Sequence, residues 1–222
     1  VVTKRGEPIS ELSQMLYGSM SNDNNEFSFS FGAYQQLIRG NPDNKRLFLF
    51  SVGGREFING LVRPTLYIEP ETKLTRVQLD EFHALFSRVK EHRAKSNRAA
   101  TTKLSATPMY FAERRQAPGR KVFVPQILSE KRQYVTAGFL GEEALPIAPH
   151  MQIVGGTLCD LAMLSSRLHL VWIATVCGKL KTDFRYSNTL GWNTFPVPTL
   201  TDKMKANLTR CAEDILLARE HH

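Results

Sequence analysis

The longest apolar stretch of the chain runs from Leu158 to Val176 and is interrupted by Asp160, Arg167 and His169. Apolar residues over this length, with Gly178 just beyond, predict a helix from Leu158 to Cys177 that Gly178 ends as its cap. Because charged side chains are rare and costly within a lipid bilayer, we expect this helix to be buried in a protein core rather than to span a membrane.

The rest of the chain alternates short apolar runs with turn residues, and no strand–helix–strand rhythm is present. The patterns predict strands near residues 27–31, 66–68, 121–128, 133–136 and 151–154, and helices over residues 77–94 and 202–219. Thr201 is the predicted N-cap of the last helix. The predicted fold class is α+β, with mixed, short-stranded sheets packed with helices and a C-terminal helix.

We divide the chain into four parts. Residues 1–30 are polar and rich in Asn and Ser, which predicts a linker; residues 31–195 form the main domain, and residues 196–220 a C-terminal helical segment. The chain has no initial Met and ends in His221-His222, so we expect a piece of a longer protein with a tag remnant. Three widely spaced cysteines without zinc spacing predict reduced thiols and a cytoplasmic protein.

Positive charge is concentrated in one segment. Of the 29 Lys and Arg residues, ten lie between Arg88 and Lys121, where only two acids occur, and the remainder of the chain carries nineteen of each sign. This segment therefore accounts for the net charge of +8. A local excess of cations attracts polyanions such as nucleic acid, although a solvated surface has the same composition.

Common catalytic motifs are missing: the sequence has no dinucleotide-binding glycine motif, P-loop, nucleophile elbow or His-x-x-x-His pair. One weak enzyme pattern remains, because Asp43 followed by Glu71 and Lys73 fits the loose signature of Mg²⁺-dependent nucleases. Asp43 lies in a predicted turn rather than on a strand, which argues against a rigid metal ligand. We keep a nuclease as an alternative function.

Three segments combine the side chains that nucleic-acid binding needs. The segment Ser129–Tyr134 holds an acceptor that suits cytosine (Glu130), a bidentate donor that suits guanine (Arg132), and Gln133, which suits adenine. The other two segments supply cations for the phosphate backbone. The first contains Arg114, Arg115, Arg120 and Lys121, and the second contains Lys179, Lys181 and Arg185 with nearby aromatic side chains. The alternatives are a solvated charged loop and a protein-interaction module with a basic face.

Two blocks of sequence are especially distinctive: Gly178-Lys179-Leu180-Lys181-Thr182-Asp183-Phe184-Arg185-Tyr186-Ser187 and Asn193-Thr194-Phe195-Pro196-Val197-Pro198. Together with the stretches 121–125, 129–135 and 138–140, they resemble the specificity region of MmeI-like restriction–modification enzymes, which join an endonuclease, an adenine-N6 methyltransferase and target recognition in one chain. Weaker similarity extends over nearly the whole chain, and residues 18–23 resemble the junction that follows the family's methyltransferase domain.

The resemblance implies a bacterial, cytoplasmic, double-stranded DNA recognition domain that serves an adenine-specific methyltransferase domain of the same parent protein. Glu130 and Arg132 match the family's base-reading pair, Tyr134 is a neighbouring candidate, and Lys131 departs from the Arg or Asn expected there. Tyr186 and Ser187 join the backbone-contact candidates, with packing within the loop as the alternative for both. The family's S-adenosylmethionine motif and its Asn-Pro-Pro-Tyr/Phe motif are missing, so we expect no cofactor, no metal and no catalysis in this piece.

Overall fold

The computed structural model describes residues 1–220, and the predicted tag remnant at His221 and His222 lies outside the described residues. In this part of the chain the α-helices are α1 (Phe31–Gly40), α2 (Gly54–Ile58), α3 (Arg76–Ala94), α4 (Ala99–Lys103), α5 (Leu158–Leu164), α6 (Arg167–Val176) and α7 (Asp202–Glu220). The strands are β1 (Leu16–Tyr17), β2 (Phe48–Val52), β3 (Arg63–Leu66), β4 (Lys121–Val124), β5 (Ile127–Leu128), β6 (Gly138–Leu140), β7 (Ala144–Pro146), β8 (Met151–Val154), β9 (Gly178–Leu180) and β10 (Asp183–Arg185). The predicted α+β class is confirmed.

The chain folds into two compact units and passes from one to the other several times. Unit 1 comprises Val1–Tyr17, Ala117–Glu142 and Pro149–His222, and unit 2 comprises Gly18–Gln116 and Glu143–Ala148. Each unit has its own hydrophobic core. The predicted domain boundaries at residues 30 and 195 stay a prediction.

In its described residues, unit 1 contains two sheets, three α-helices and a short π-helix, Asn188–Trp192. An antiparallel sheet has the strand order β1-β8-β4-β6, and a second antiparallel sheet has the order β5-β10-β9. All four residues of β4 are buried, and α5, α6 and α7 contribute Leu164, Ile173 and Ala212 to the same core. The second sheet brings together segments that are far apart in the sequence, since β5 pairs with β10 of the hairpin β9–β10.

Unit 2 combines a small mixed sheet with the long helix α3. Strand β2 is central, antiparallel to β3 and parallel to β7. Phe82 and Phe86 of α3 pack in a largely aromatic core with Phe48 of β2 and Tyr34 of α1. Helix α3 begins at a capping box formed by Thr75 and Gln78, a pairing that satisfies backbone N–H groups left unpaired at a helix start.

The predicted single helix over Leu158–Cys177 is wrong, because two helices are present. Asp160 forms a capping box with Thr157 at the start of α5, and the Ser166 hydroxyl accepts a hydrogen bond from the His169 amide at the start of α6. Asp160 and Ser166, two polar residues in the apolar stretch, thus each stabilise the start of a helix. Gly178 does not cap a helix, since it is the first residue of β9.

Other local predictions were partly wrong. Residues 133–136 form bends and irregular backbone rather than a strand, and the strand predicted over 121–128 is interrupted at Pro125 and Gln126. Phe31 begins α1 behind the N-cap Ser30 instead of ending a strand. The predicted helices of residues 77–94 and 202–219 are confirmed, and Thr201 caps the second, since its hydroxyl accepts from the Met204 amide at 3.3 Å.

The first thirty residues are packed within the two units. In unit 1, Met15 is buried, its carbonyl accepts from the Asn188 amide group, and the Ser13 carbonyl accepts from the Trp192 indole N–H at 2.7 Å. In unit 2, Phe27 is buried and stacks on Phe111. Among residues 1–220 no single helix is long and apolar enough to cross a membrane; only the bent pair α5–α6 reaches that length and composition together.

Candidate nucleic-acid interface

The reading loop, residues 129–134, leaves the second sheet of unit 1 directly after β5. Its side chains from Glu130 to Tyr134 are exposed, whereas Leu128 before it and Val135 after it are buried. A short turn, in which the Arg132 amide donates to the Ser129 carbonyl at 3.1 Å, shapes the loop from within. Anchored at both ends and exposed between them, the loop presents Glu130, Arg132 and Tyr134 to solvent.

The basic hairpin, Gly178–Arg185, consists of β9 and β10 and carries three exposed cations: Lys179, Lys181 and Arg185. At its tip Lys181 has a φ of 56°. An L-residue with a side chain rarely adopts this left-handed conformation, which glycine tolerates without strain. The Lys179 ammonium lies 5.3 Å from the centre of the Phe184 ring. The hairpin therefore presents positive charge to solvent from a defined backbone.

The second sheet of unit 1 joins the reading loop to the basic hairpin. Strand β10 pairs with β5 in the register Phe184↔Leu128 and Arg185↔Ile127. The Glu130 amide N–H donates to Oδ1 of Asp183 at 3.3 Å. Segments that the sequence separates by about fifty residues are thus neighbours, with candidate base-reading groups beside candidate phosphate-binding groups.

A buried cluster of rings lies at the base of the hairpin. Tyr186 is only 1% exposed, and its hydroxyl lies 2.9 Å from Nε2 of His169. The His169 ring also contacts those of Trp192 and Phe195. Burial raises the pKa of Tyr186 well above its usual value and lowers that of His169 to about 3, so both groups are neutral at pH 7.

The predicted backbone contacts Tyr186 and Ser187 therefore differ from the exposed cations beside them. Tyr186 faces the core, and the half-buried Ser187 has its hydroxyl 3.0 Å from that of Thr189. A buried phenol cannot reach a phosphate. Tyr186 instead packs in the core beneath the hairpin, where its hydroxyl is hydrogen-bonded with His169. The sequence leaves packing within the loop open as the alternative for Tyr186, and its burial agrees with that alternative.

Of the predicted pair Arg120 and Lys121, in unit 1, only Arg120 is exposed. Its guanidinium lies 3.9 Å from the centre of the Phe139 ring. Lys121 is buried, and its Nζ donates to the carbonyls of Gly119 and Glu142 at 3.2 and 3.0 Å. Burial lowers the pKa of Lys121. Lys121 thus ties two turns together and is not available to a phosphate in this structure.

Arg114 and Arg115 belong to unit 2, and both have carboxylates near them. Arg114 is exposed and lies 3.8 Å from a carboxylate oxygen of Glu69. Arg115 is half-buried, pairs with Glu113 and donates to the Gly18 carbonyl. Exposed ion pairs of this kind are weak and do not prevent an arginine from exchanging its partner for a phosphate.

The residues of the nuclease pattern are not arranged around a metal site. Asp43 lies on a 3₁₀ helix (Pro42–Leu47), and its amide is bound by the Asn41 side chain. Over residues 1–220, no group of three or more His, Cys, Asp or Glu side chains could hold a metal ion. The nuclease alternative with Asp43, Glu71 and Lys73 has no support.

Fold and site together define a basic α+β binding domain, in which an exposed polar loop and a cationic hairpin extend from one small sheet. The family model of the MmeI target recognition domain matches residues 1–199, and the chain belongs to this family. The predicted recognition of an MmeI-like target recognition domain is confirmed.

Two relatives agree with this assignment. The chain is 33% identical over 221 residues to the protein named DNA methyltransferase A of Bacillus subtilis (strain 168), a match that covers 99% of this chain and 25% of that protein. A solved structure of the Type IIL restriction–modification enzyme MmeI in complex with DNA matches with a TM-score of 0.92 and 30% identity, over 100% of this chain and 30% of that one. The chain thus spans about a quarter to a third of the length of these relatives.

Proposed function

We propose that this chain recognises a specific sequence of double-stranded DNA on behalf of an adenine-N6 methyltransferase carried by the rest of a longer protein. The observation that carries the proposal is the pairing of β5 with β10, which places the exposed reading loop beside the basic hairpin. Membership of a target recognition family supports the same conclusion.

The reading loop has the chemistry for direct readout in the major groove. Arg132 can donate two hydrogen bonds to guanine, and Glu130 can accept from the amino group of cytosine. Both side chains are exposed, as contact with a base edge requires. Each good bidentate contact is worth about 1–3 kcal/mol of discrimination against the wrong base. Tyr134, which is 51% exposed, adds an aromatic ring at the end of the loop.

The hairpin cations have the chemistry for contacts to phosphates, which position a protein on a duplex without reading its sequence. Lys179, Lys181 and Arg185 are exposed and form no ion pair within residues 1–220. Arg120 and, in unit 2, Arg114 and Arg115 are further candidates. Lys121 and Tyr186 are left out because they are buried.

The methyl transfer itself belongs to the rest of the parent. A methyltransferase reaches the N6 of an adenine only after that base leaves the helical stack, so a separate domain that fixes the register on the duplex has a defined task. The name of the Bacillus subtilis relative supports a methyltransferase parent. S-adenosylmethionine would be its methyl donor, and the parent's methyltransferase domain would be the protein partner of this chain.

The proposal is tested by measuring fluorescence-anisotropy binding of this chain to duplexes over a range of salt concentrations, after selection of a preferred sequence from a random pool. The logarithm of the affinity should fall linearly with the logarithm of the salt concentration, by about 0.9 for each phosphate contacted. Arg132→Ala should relax the preference at one base pair, whereas Lys179→Ala should weaken binding to all sequences alike.

Arg210→Ala is the matched control, because Arg210 is an exposed cation on α7 and outside the proposed interface. It should leave both affinity and preference nearly unchanged. Two outcomes count against these assignments: an unchanged preference in Arg132→Ala would refute Arg132 as a base reader, and no binding even at low salt would contradict the proposed function. The second outcome, together with a stable oligomer, would favour the protein-interaction module instead.

A further inference from the structure

The start of the reading loop is bound by a carboxylate of the basic hairpin. Asp183 is the first residue of β10 and pairs with Leu180 across the hairpin. Its Oδ1 accepts a hydrogen bond from the backbone N–H of Glu130 at 3.3 Å. A carboxylate beside three phosphate-binding cations weakens the attraction for DNA, so its position requires another explanation. The bond to the loop supplies one.

The segment that follows the reading loop, between its end at Tyr134 and the start of β6, is bound by the C-terminal helix. Arg219, in the last turn of α7, donates from Nη1 to the carbonyl of Ala137 at 2.7 Å. Ile215 and Ala218 of the same helix line an apolar cavity together with Tyr134 of the loop and Ser165. Helix α7 lies beyond residue 199, where the match to the family model ends.

The loop has little regular structure of its own to fix its backbone. Its internal hydrogen bonds are the short turn from Arg132 to Ser129 and a contact at 3.4 Å between the Lys131 amide and the Ser129 hydroxyl. Hydrogen-bonded readout depends on placing donors and acceptors within a fraction of an ångström and within some tens of degrees. Ties from outside the loop therefore determine how sharply it can read a base.

We infer that Asp183 and Arg219 are positioning residues for base recognition: Asp183 fixes the start of the reading loop and Arg219 fixes the segment that follows it, and neither contacts a base. The inference rests on the proposed function, since it assigns a task to the same loop. It extends the recognition machinery to the hairpin carboxylate and to a helix outside the matched residues. Loss of either tie lets the loop sample several backbone positions and blurs discrimination.

The experiment combines hydrogen exchange with sequence selection on the whole chain. In Asp183→Ala and Arg219→Ala, amides 130–137 should exchange about tenfold faster, because local opening controls exchange in a segment of this kind. In a random-pool selection the preferred sequence should lose about tenfold of its advantage over a scrambled duplex, a loss comparable to that of one base contact. Nonspecific affinity should rise in Asp183→Ala because a negative charge is removed, and in Arg219→Ala it should change no more than in Arg210→Ala, which removes the same charge from the same helix.

Conservative variants distinguish the loss of a positioning hydrogen bond from the loss of a charge, and a stability measurement distinguishes both from unfolding. Asp183→Asn keeps an oxygen that can accept from Glu130, and Arg219→Lys keeps a donor of similar reach, so both should retain most of the discrimination. Arg210→Ala removes a cation from the same helix without touching the loop and should behave like the wild-type chain. Unfolding in urea, followed by tryptophan fluorescence, shows whether a variant has lost its overall fold.

The outcomes are distinguishable. If the wild-type chain selects a sequence and both alanine variants select it as sharply, the positioning roles are refuted while the proposed function stands. The same holds if Asp183→Asn fails as completely as Asp183→Ala, because charge rather than the hydrogen bond would then be responsible. If the wild-type chain enriches no sequence at all, the proposed function fails first, and the inference falls with it.

Discussion

Arg93 shows how a residue that looks like part of a basic surface can be a structural centre. It lies in the last turn of α3, is 0% exposed, and donates five hydrogen bonds to backbone carbonyls. The acceptors belong to Ser21, Asn22, Leu104, Thr107 and Tyr110. One guanidinium, whose five N–H groups are all used, thus fastens two irregular segments of unit 2 to a helix.

Replacing Arg93 by alanine should destabilise unit 2 strongly. The change removes the donor from five backbone carbonyls and leaves a cavity where the buried side chain was; because water can reach part of these carbonyls, we expect a total loss of about 3–5 kcal/mol. Urea unfolding followed by circular dichroism measures it. Lys95→Ala, next to the helix end and paired only with Glu91 at the surface, should change stability by less than about 0.5 kcal/mol. Equal effects in the two variants would contradict this role of Arg93.

His169 gives unit 1 a defined sensitivity to acid. Its Nε2 lies beside the Tyr186 hydroxyl, and its Nδ1 has no hydrogen-bond partner among the described residues. Burial lowers its pKa from 6.5 to about 3. The unfolded chain therefore takes up a proton below about pH 6.5 that the folded chain does not, and stability falls as the pH drops from there toward 3. The nearby groups Tyr186 and Cys177 have pKa values raised by burial and stay neutral throughout.

We predict that His169→Gln removes this dependence. The glutamine amide can still reach the Tyr186 hydroxyl but does not titrate. Between about pH 6 and pH 4, the wild-type chain should lose about 1.4 kcal/mol per pH unit relative to the variant, which is the linkage expected of one proton. Parallel urea unfolding curves at several pH values measure the difference. If the two chains respond identically to pH, His169 does not bind its proton as its burial implies.

At the scale of elements, sequence patterns locate the two long helices α3 and α7, but they miss the helix α1 and the hairpin strands β9 and β10, and they merge β5 with β4. Helices α3 and α7 were predicted to within a residue or two, because their apolar spacing and their caps are local features. Strands β5, β9 and β10 have only two or three residues each. Such short strands exist because they pair with one another, and no local pattern encodes that pairing.

The same contrast holds for the candidate site. The exposed residues of the reading loop and the hairpin cations could be selected from residue chemistry and from the family resemblance. Residue chemistry does not show which of these side chains are buried. Lys121 and Tyr186 therefore appear among the predicted contacts although both face the interior. No sequence pattern identifies Asp183 and Arg219 as positioning residues, because this role depends on hydrogen bonds across about fifty and eighty residues of sequence.

The hairpin tip offers a direct test of whether strain is kept for function. Lys181 adopts the left-handed conformation at a cost of about 1 kcal/mol relative to glycine. Lys181→Gly should therefore stabilise unit 1 by roughly that amount and at the same time weaken DNA binding, with a salt dependence reduced by about one phosphate contact. Urea unfolding and anisotropy titrations on one preparation measure both effects.

Lys179→Ala is the comparison for this variant, since Lys179 is an equally exposed cation whose backbone is not left-handed. It should weaken DNA binding to a similar extent without any gain in stability. A Lys181→Gly chain that binds DNA as well as the wild type would show that the strained lysine serves the fold of the hairpin and not the contact with DNA.

At the scale of the whole molecule, the two units can be followed separately, because both tryptophans, Trp172 and Trp192, belong to unit 1. The core of unit 1 includes Ala212 of α7, which is fully buried, and the core of unit 2 includes no residue of that helix. Tryptophan fluorescence therefore reports the unit that carries the reading loop, while amide exchange in α3 reports the other. A change confined to one core should alter only one of these two signals, whereas a general loss of stability should alter both.

Ala212→Asp should consequently separate the two signals. It places an unpaired carboxylate in a fully buried position of unit 1, which should lower stability by at least about 3 kcal/mol and shift the fluorescence transition to a lower urea concentration. Amides of α3, such as that of the buried Val89, should keep their exchange rates under native conditions. If α3 loses protection in step with the tryptophan signal, the units unfold as one cooperative body; if only the fluorescence transition moves, the unit that carries residues 129–134 can be destabilised alone.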